Sequence, residues 1–231
     1  MTRCAVLFDM DGALVDSERM HYDAMTAVPA ATGYSIPDGL AETITGLSGE
    51  DCHALLQRLV GFAPSFDDYI RAKYRTYLET APLLRMRQGA EAALALLRDS
   101  GTPFAIVSNS DRILVEANLR AVGLARPGLI SVSCNDVRNG KPDPEPYLRA
   151  AYLLGIEPAA CIVVEDSIPG AIAGHAAGMT VIGWPEPHRG DLVFPEGTII
   201  AAPHDLRASL SKCLGGKLDI PTLEDALHVS R

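Results

Sequence analysis

The fold of this chain is decided by the stretch Val6-Leu7-Phe8-Asp9-Met10-Asp11-Gly12-Ala13-Leu14-Val15-Asp16-Ser17. The apolar, β-rich run Cys4–Phe8 ends abruptly in two aspartates, which is typical of a buried parallel strand whose carboxyl end opens into a ligand site. Asp9 and Asp11 would share a face if extension continued, and Gly12 lets the chain turn away. Two carboxylates this close favour a hard cation such as Mg²⁺ or an acid/base pair, although a plain turn can have the same sequence.

Length and composition narrow the classes of protein to be considered. The chain has 231 residues, of which 48% are hydrophobic and 21% charged, as in an ordinary globular protein with one large domain or a core with an insert. No apolar run approaches the roughly 18 residues of a membrane span, and Cys4–Phe8 is too short for a signal peptide. The five cysteines are widely spaced, as reduced thiols in a cytoplasmic protein are. The formal charge of -9 argues against binding to nucleic acid. We therefore expect a cytoplasmic monomer without membrane or nucleic-acid partners.

A helical segment follows the first strand and extends from Asp16 to about Pro82. The predicted helices run from Ser17 to an interruption at Pro29 and Gly33, from about Glu50 to Leu59, and from Asp67 to Glu79. Leucines and tyrosines recur in them at helical spacing, which indicates a small helical core. No convincing strand interrupts this segment, so we expect it to be an insertion.

From Leu83 onward strands alternate with helices, which indicates βαβ units and a parallel sheet. The predicted strands are Phe104–Val107, Leu129–Val132, Cys161–Val164, Thr180–Gly183 and Thr198–Ala201, and the predicted helices are Gln88–Arg98, Asp111–Val122, Pro144–Leu154 and Ser167–Ala177. We expect an α/β fold, a doubly wound parallel sheet with a helical insert. The predicted domains are a core of residues 1–15 and 84–214, the insert of residues 16–83, and a C-terminal tail of residues 215–231.

Polar clusters follow three of the predicted strands. They are Asp9/Asp11, Ser108-Asn109-Ser110 and Glu165-Asp166. Because the carboxyl ends of these strands face one crevice in a doubly wound sheet, we expect the clusters to converge. Their oxygen atoms favour Mg²⁺ over Zn²⁺.

Phosphate binding is the second chemistry that these clusters indicate. Ser108 and Asn109, with the N–H groups of the turn that follows, form a candidate phosphate cradle, and Ser110 or Asp111 can cap the next helix at the same time. Lys141, one of only four lysines, lies in a loop rich in glycine and proline. Its ammonium group suits balancing the charge of a phosphate or of a nucleophilic carboxylate.

Four segments resemble, in order, the motifs of the haloacid dehalogenase (HAD) superfamily, in its helical-cap β-phosphoglucomutase/phosphoglycolate phosphatase-like group. They are Asp9-Met10-Asp11-Gly12-Ala13-Leu14-Val15-Asp16-Ser17, Val107-Ser108-Asn109-Ser110, Gly140-Lys141-Pro142-Asp143-Pro144 and Val164-Glu165-Asp166-Ser167-Ile168-Pro169-Gly170. The resemblance extends from Ala5 to about Ala201. It implies a Rossmann-like HAD core and an inserted α-helical cap domain that closes over the site and selects the substrate.

The resemblance also implies roles for individual residues. Asp9 would be the nucleophile that forms an aspartyl-phosphate, and Asp11 the general acid and base. Ser108 and Asn109 would bind the transferring phosphoryl group, and Lys141 would stabilise its charge.

A magnesium site is implied in the same way. Asp9, the carbonyl of Asp11 and Asp166 would bind Mg²⁺. Glu165 would be an additional ligand or would lie just behind the ligands. Bound Mg²⁺ would screen the repulsion between the nucleophile and the phosphate.

The implied activity is Mg²⁺-dependent hydrolysis of a small phosphorylated metabolite, such as a sugar phosphate or a phosphoglycolate-like compound. Ser17 and His21 could reach the leaving group, although His21 is equally typical of a surface helix. The alternative is a β-phosphoglucomutase-type isomerase, since residues 45–51 resemble the mutase segment that contacts substrate, and His21 and Lys73 fall at mutase-like positions. Against it, Gly49 stands where mutases carry a phosphate-binding arginine. The intact set of motif residues argues against a silent binding module.

Overall fold

The computed structural model describes residues 4–37, 40 and 49–215 of the chain. Residues 45–48 of the mutase-like segment and residues 216–231 of the predicted tail lie outside these ranges. Within the described ranges, no helix has both the length and the apolar character that crossing a membrane requires.

One parallel sheet organises the fold. Its strands are β1 (Ala5–Asp9), β2 (Phe104–Val107), β3 (Ile130–Val132), β4 (Cys161–Glu165), β5 (Thr180–Gly183) and β6 (Ile199–Ile200). Their order is β3-β2-β1-β4-β5-β6, and all neighbours pair in parallel. The predicted parallel sheet is confirmed. The strand order reverses direction beside β1, which is the point where a doubly wound sheet opens a ligand crevice.

The helices follow the predicted pattern with two differences. Among the described residues they are α1 (Glu18–Ala31), α2 (Gly49–Val60), α3 (Phe66–Thr80), α4 (Ala90–Asp99), α5 (Arg112–Ala121), α6 (Glu145–Leu154), α7 (Ile168–Ala176) and α8 (Leu206–Gly215). The predicted interruption at Pro29 is wrong, because α1 continues through this buried proline to Ala31. A proline so near the helix end removes only one hydrogen bond of the ladder.

Helix α8 is absent from the sequence predictions. Leu206, Leu210 and Leu214 recur every fourth residue and are fully buried. The Asp205 carboxylate accepts the N–H of Ala208 at 3.0 Å, as a residue that caps a helix N-terminus does. The sequence therefore carried a helix signal before Gly215-Gly216, in a stretch otherwise made of small and polar residues.

The described chain forms two compact units. The first contains the described residues of Met1–Leu14, Arg87–Asp111 and Pro127–Arg231, and the second contains those of Val15–Met86 and Arg112–Arg126. Helix α5 therefore belongs to the second unit, although the sequence places it in the region of alternating strands and helices.

The core of the first unit lies between the sheet and helices α6 and α7. Leu7 and Val163 of the sheet pack with Tyr147 of α6 and Ala171 of α7. Strands β1 and β4 are buried along their whole length, as central strands of a parallel sheet are. Both strands nevertheless end in a carboxylate, and that is where the chemistry lies.

The second unit has its own helical core, as predicted. Leu56, Phe62 and Tyr69 are buried in it together with Met25 of α1. The hydroxyl of Tyr77 donates to Asn118 Oδ1 at 2.9 Å, which links α3 to α5 within this unit.

Candidate active site

The polar clusters that were predicted to converge belong to neighbouring strands. Asp9 is the last residue of β1, Ser108 follows β2, and Glu165 ends β4 just before Asp166. Since β1 lies between β2 and β4, these side chains meet at one edge of the sheet. All of them belong to the first unit.

Lys141 connects two of these strand ends. Its ammonium group forms a close ion pair with Asp9 Oδ1 and donates to Glu165 Oε1 at 2.6 Å and to the carbonyl of Val107 at 2.9 Å. These three acceptors use all three protons of the group. Burial alone would lower the pKa of Lys141, but the charges of Asp9 and Glu165 outweigh it and raise that pKa above its usual value. Lys141 therefore stays positively charged.

Asp9 lies in a negative environment. Burial raises its pKa well above the ordinary value, the nearby charges of Glu165 and Asp11 raise it further, and Lys141 opposes them. A carboxylate in this position gains from a further positive charge beside it.

The carboxylates fit a hard divalent cation. Asp9, Glu165 and Asp166 are buried, and each offers an oxygen within 4.8 Å of the others. A donor set of oxygens alone is what Mg²⁺ prefers. The Asp166 carboxylate also lies directly against Gly12, where a Cβ would collide with it, and Gly12 has a φ of +79°. Glycine thus allows the loop after β1 to approach Asp166.

Glu165 accepts hydrogen bonds on both of its oxygens. Oε1 accepts from Lys141 and from the Tyr147 hydroxyl at 2.5 Å, and Oε2 accepts from the Ser167 hydroxyl at 2.8 Å. Gly170 in the first turn of α7 leaves room for this carboxylate, since a Cβ there would overlap it. Burial, and then the charges of Glu165 and Asp9, raise the pKa of Tyr147 well above its usual value, so Tyr147 stays a donor.

Asp11 has different surroundings. Its Oδ2 accepts from the hydroxyls of Ser108 at 3.1 Å and Ser110 at 2.9 Å. Ser110 was predicted only as a possible cap, yet it contacts a candidate catalytic residue. Its spacing of two residues from Ser108 was the available signal.

Asn109 holds the loop that carries Lys141. Its amide nitrogen donates to the Lys141 carbonyl at 3.0 Å, and its amide oxygen accepts the Lys141 N–H at 2.8 Å. A Cβ at Gly140 would come within 2.7 Å of that oxygen. The predicted contact of Asn109 with a phosphoryl group stays a prediction.

Arg87 is a site residue that no motif indicated. Its buried guanidinium donates to the carbonyls of Gly12 at 2.7 Å, Trp184 at 2.6 Å and Pro185 at 2.5 Å. It also lies 3.8 Å from the centroid of the Trp184 ring. Arg87 thus ties the loop after β1 to the segment after β5.

Ser17 and His21 belong to the second unit. Ser17 is fully buried at the start of α1. The His21 ring packs against the Tyr77 ring, with 4.5 Å between centroids. Their predicted contact with substrate stays a prediction.

Comparison with known proteins assigns the family. The family model "haloacid dehalogenase-like hydrolase" matches residues 5–178. The chain therefore belongs to the haloacid dehalogenase-like hydrolases, as its motifs predicted. Within that family it is a phosphoric monoester hydrolase.

Three similar proteins support this assignment. Hexitol phosphatase A of Escherichia coli (strain K12) is 34% identical over 187 residues, which cover 78% of this chain and 82% of that protein. A plasmid-encoded phosphoglycolate phosphatase of Cupriavidus necator is 34% identical over 184 residues, covering 77% of this chain and 78% of that protein. The crystal structure of a HAD family hydrolase from Deinococcus radiodurans R1, with bound phosphate and sodium, is 32% identical and has a TM-score of 0.69, covering 94% of this chain and 97% of that one.

Proposed function

We propose that this enzyme hydrolyses a small phosphorylated metabolite, a sugar phosphate or a phosphoglycolate-like compound, in a Mg²⁺-dependent reaction with an aspartyl-phosphate on Asp9. The observation that carries the proposal is the ion pair of Lys141 with Asp9 at the end of β1, beside further carboxylates. The names of the hexitol and phosphoglycolate phosphatases support the substrate class.

The metal would be held by Asp9, Asp166 and the carbonyl of Asp11, with Glu165 as a further ligand or just behind them. When bound, Mg²⁺ supplies positive charge between the nucleophile and the phosphate. Lys141 adds a second positive charge, which favours the anionic form of Asp9 against the effect of burial.

Each side chain then has a defined part in the reaction, and Asp11 acts twice. An Asp9 oxygen attacks phosphorus while the ester oxygen leaves and takes a proton from Asp11. Asp11, now a carboxylate, removes a proton from water, and that water attacks phosphorus to release inorganic phosphate and restore Asp9. The Ser108 hydroxyl and Lys141 bind the phosphoryl oxygens as charge develops on them.

A screen of phosphorylated metabolites for release of inorganic phosphate tests this function. Wild-type protein with Mg²⁺ should hydrolyse at least one sugar phosphate or phosphoglycolate, and exhaustive chelation should abolish the release. Asp166→Ala should weaken Mg²⁺ binding in calorimetric titration while leaving the thermal unfolding midpoint of the metal-free protein nearly unchanged. Activity that persists after chelation would refute the metal dependence.

Isomerisation is the competing activity. A mutase must grip a phosphate at both ends of its substrate, and Gly49 offers no side chain for the distal grip. A Cβ at this position would already lie 3.0 Å from Ile70 Cδ1, so a side chain here would require that methyl group to shift. With β-glucose 1-phosphate, Mg²⁺ and a trace of glucose 1,6-bisphosphate, we expect little glucose 6-phosphate. Rapid formation of glucose 6-phosphate without phosphate release would establish the mutase.

We further propose that residues 16–83 form a cap domain that selects the substrate, with Ser17 and His21 among its contacts. Ser17→Ala and His21→Ala should then change the ranking of substrates rather than abolish hydrolysis of all of them.

We also propose that the protein is a monomer in the cytoplasm, as the sequence predicts. A monomer should elute at the size of one 24.6 kDa chain in size-exclusion chromatography.

A further inference from the structure

Tyr147 shares one oxygen of Glu165 with Lys141. The Tyr147 hydroxyl donates to Glu165 Oε1 at 2.5 Å, and Lys141 Nζ donates to the same oxygen at 2.6 Å. The ammonium nitrogen also lies 5.0 Å from the centroid of the Tyr147 ring. Tyr147 and Glu165 are both fully buried, so water does not replace either hydrogen bond.

In this arrangement every N–H of the Lys141 ammonium group already donates a hydrogen bond. Asp9, Glu165 and the Val107 carbonyl take all three. To donate to a phosphoryl oxygen, Lys141 must release one of these acceptors. Releasing Glu165 would leave a buried anion short of a donor, which is costly unless another donor stays on the same oxygen.

We propose that Tyr147 is a positioning residue whose hydroxyl keeps Glu165 Oε1 hydrogen-bonded while Lys141 turns towards the transferring phosphoryl group. This inference rests on the function proposed above. The tyrosine lowers the free-energy cost of turning one N–H of the Lys141 ammonium group from Glu165 to the phosphoryl oxygen, while the proton stays on the nitrogen. Since that move accompanies charge development, Tyr147 acts on the transition state more than on substrate binding.

Tyr147→Phe removes the hydroxyl and keeps the ring. The matched control is Tyr152→Phe, since Tyr152 lies on the same helix and is 80% exposed. With p-nitrophenyl phosphate as substrate, we expect Tyr147→Phe to lower kcat about tenfold, the effect of losing one hydrogen bond to a charged group, with KM within about twofold. Inhibition by orthovanadate, which mimics the transition state, should weaken about tenfold, and inhibition by inorganic phosphate should change less than about twofold.

A purely structural role of Tyr147 gives a different pattern. In that case Tyr147→Phe would lower the thermal unfolding midpoint and leave kcat and the inhibition constant of orthovanadate at the wild-type values. That result would overturn the inference. Equal weakening of orthovanadate and phosphate inhibition would also overturn it.

A double-mutant cycle with Glu165→Gln tests whether Tyr147 acts through Glu165. Because a neutral amide holds Lys141 weakly, adding Tyr147→Phe to Glu165→Gln should cost less than about twofold in kcat. The same tenfold loss in both backgrounds would contradict the inference. If wild-type protein releases no phosphate from any ester, the proposed function itself fails, which is distinguishable from a failure confined to the variants.

Discussion

Asp9 and Asp11 are two residues apart, yet their surroundings are opposite in kind. Asp9 is buried, is paired with the Lys141 ammonium, and has the Glu165 and Asp166 carboxylates as neighbours. The described hydrogen bonds to the Asp11 carboxylate come from the neutral hydroxyls of Ser108 and Ser110. The Lys141 cation favours the ionised form of Asp9, whereas the described donors to Asp11 carry no charge. The difference teaches that like residues close in sequence can have unlike surroundings, and the proposed roles of nucleophile for Asp9 and acid/base for Asp11 rest on that difference.

Asp9→Asn should have the largest effect. An amide is a far weaker nucleophile, so we expect phosphate release to fall at least about ten thousandfold, as when the nucleophile of other covalent enzymes is removed. Purified variant and wild type are compared by phosphate release, with circular dichroism as the control for folding. A folded variant that keeps a tenth of the activity would show that Asp9 is not the nucleophile.

Asp11→Asn should lower kcat by about a hundred- to a thousandfold, the usual contribution of a general acid. The loss should depend on the leaving group, since p-nitrophenolate needs no proton and a sugar alkoxide does. Comparing the two substrates in both variants sharpens the contrast, because Asp9→Asn should impair them equally. The comparison uses kcat/KM, which does not include the later attack of water on the aspartyl-phosphate, and equal losses of kcat/KM in Asp11→Asn would show that Asp11 does not protonate the leaving group.

Ser110→Ala should have a smaller effect. It removes one of two hydroxyls that hold Asp11 Oδ2, so we expect kcat to fall about tenfold or less, in line with one hydrogen bond. Ser110→Thr retains the hydroxyl and should recover much of the rate. Ser100→Ala, on the surface at the end of α4, is the control, and an equal loss there would mean that the effect is not specific to Asp11.

The pH dependence of stability gives the smallest effect. The native pKa of Asp9 is raised above the ordinary value of 3.8, so native protein binds the Asp9 proton more tightly than unfolded protein does. Stability from this group is full below pH 3.8 and is lost as pH rises through the raised native pKa. In metal-free buffer, the thermal unfolding midpoint of Asp9→Asn should therefore rise by a few degrees relative to that of wild type as the pH increases from about 4 to 7. A constant difference across this range would contradict the shift.

The sheet and the strand-end residues were predictable because their signals are local. The apolar run before Glu165 predicts β4, and the polar residues after it predict a site. Tyr147 and Arg87 were not predictable, because their roles depend on partners distant in sequence. Tyr147 meets Glu165 across 18 residues and Arg87 meets Trp184 across 97, and neither partner is implied by local periodicity.

The two glycines that face carboxylates also decide which positions of the site tolerate mutation. At Gly12 the positive φ and the Asp166 carboxylate both exclude a side chain. At Gly170 the backbone is helical, and alanine would favour the helix by about 1 kcal/mol. The methyl group of that alanine would nevertheless occupy the place of the Glu165 carboxylate, which its hydrogen bonds hold in position. In a saturation library selected for activity, position 170 should therefore return glycine alone, against the preference of its own helix.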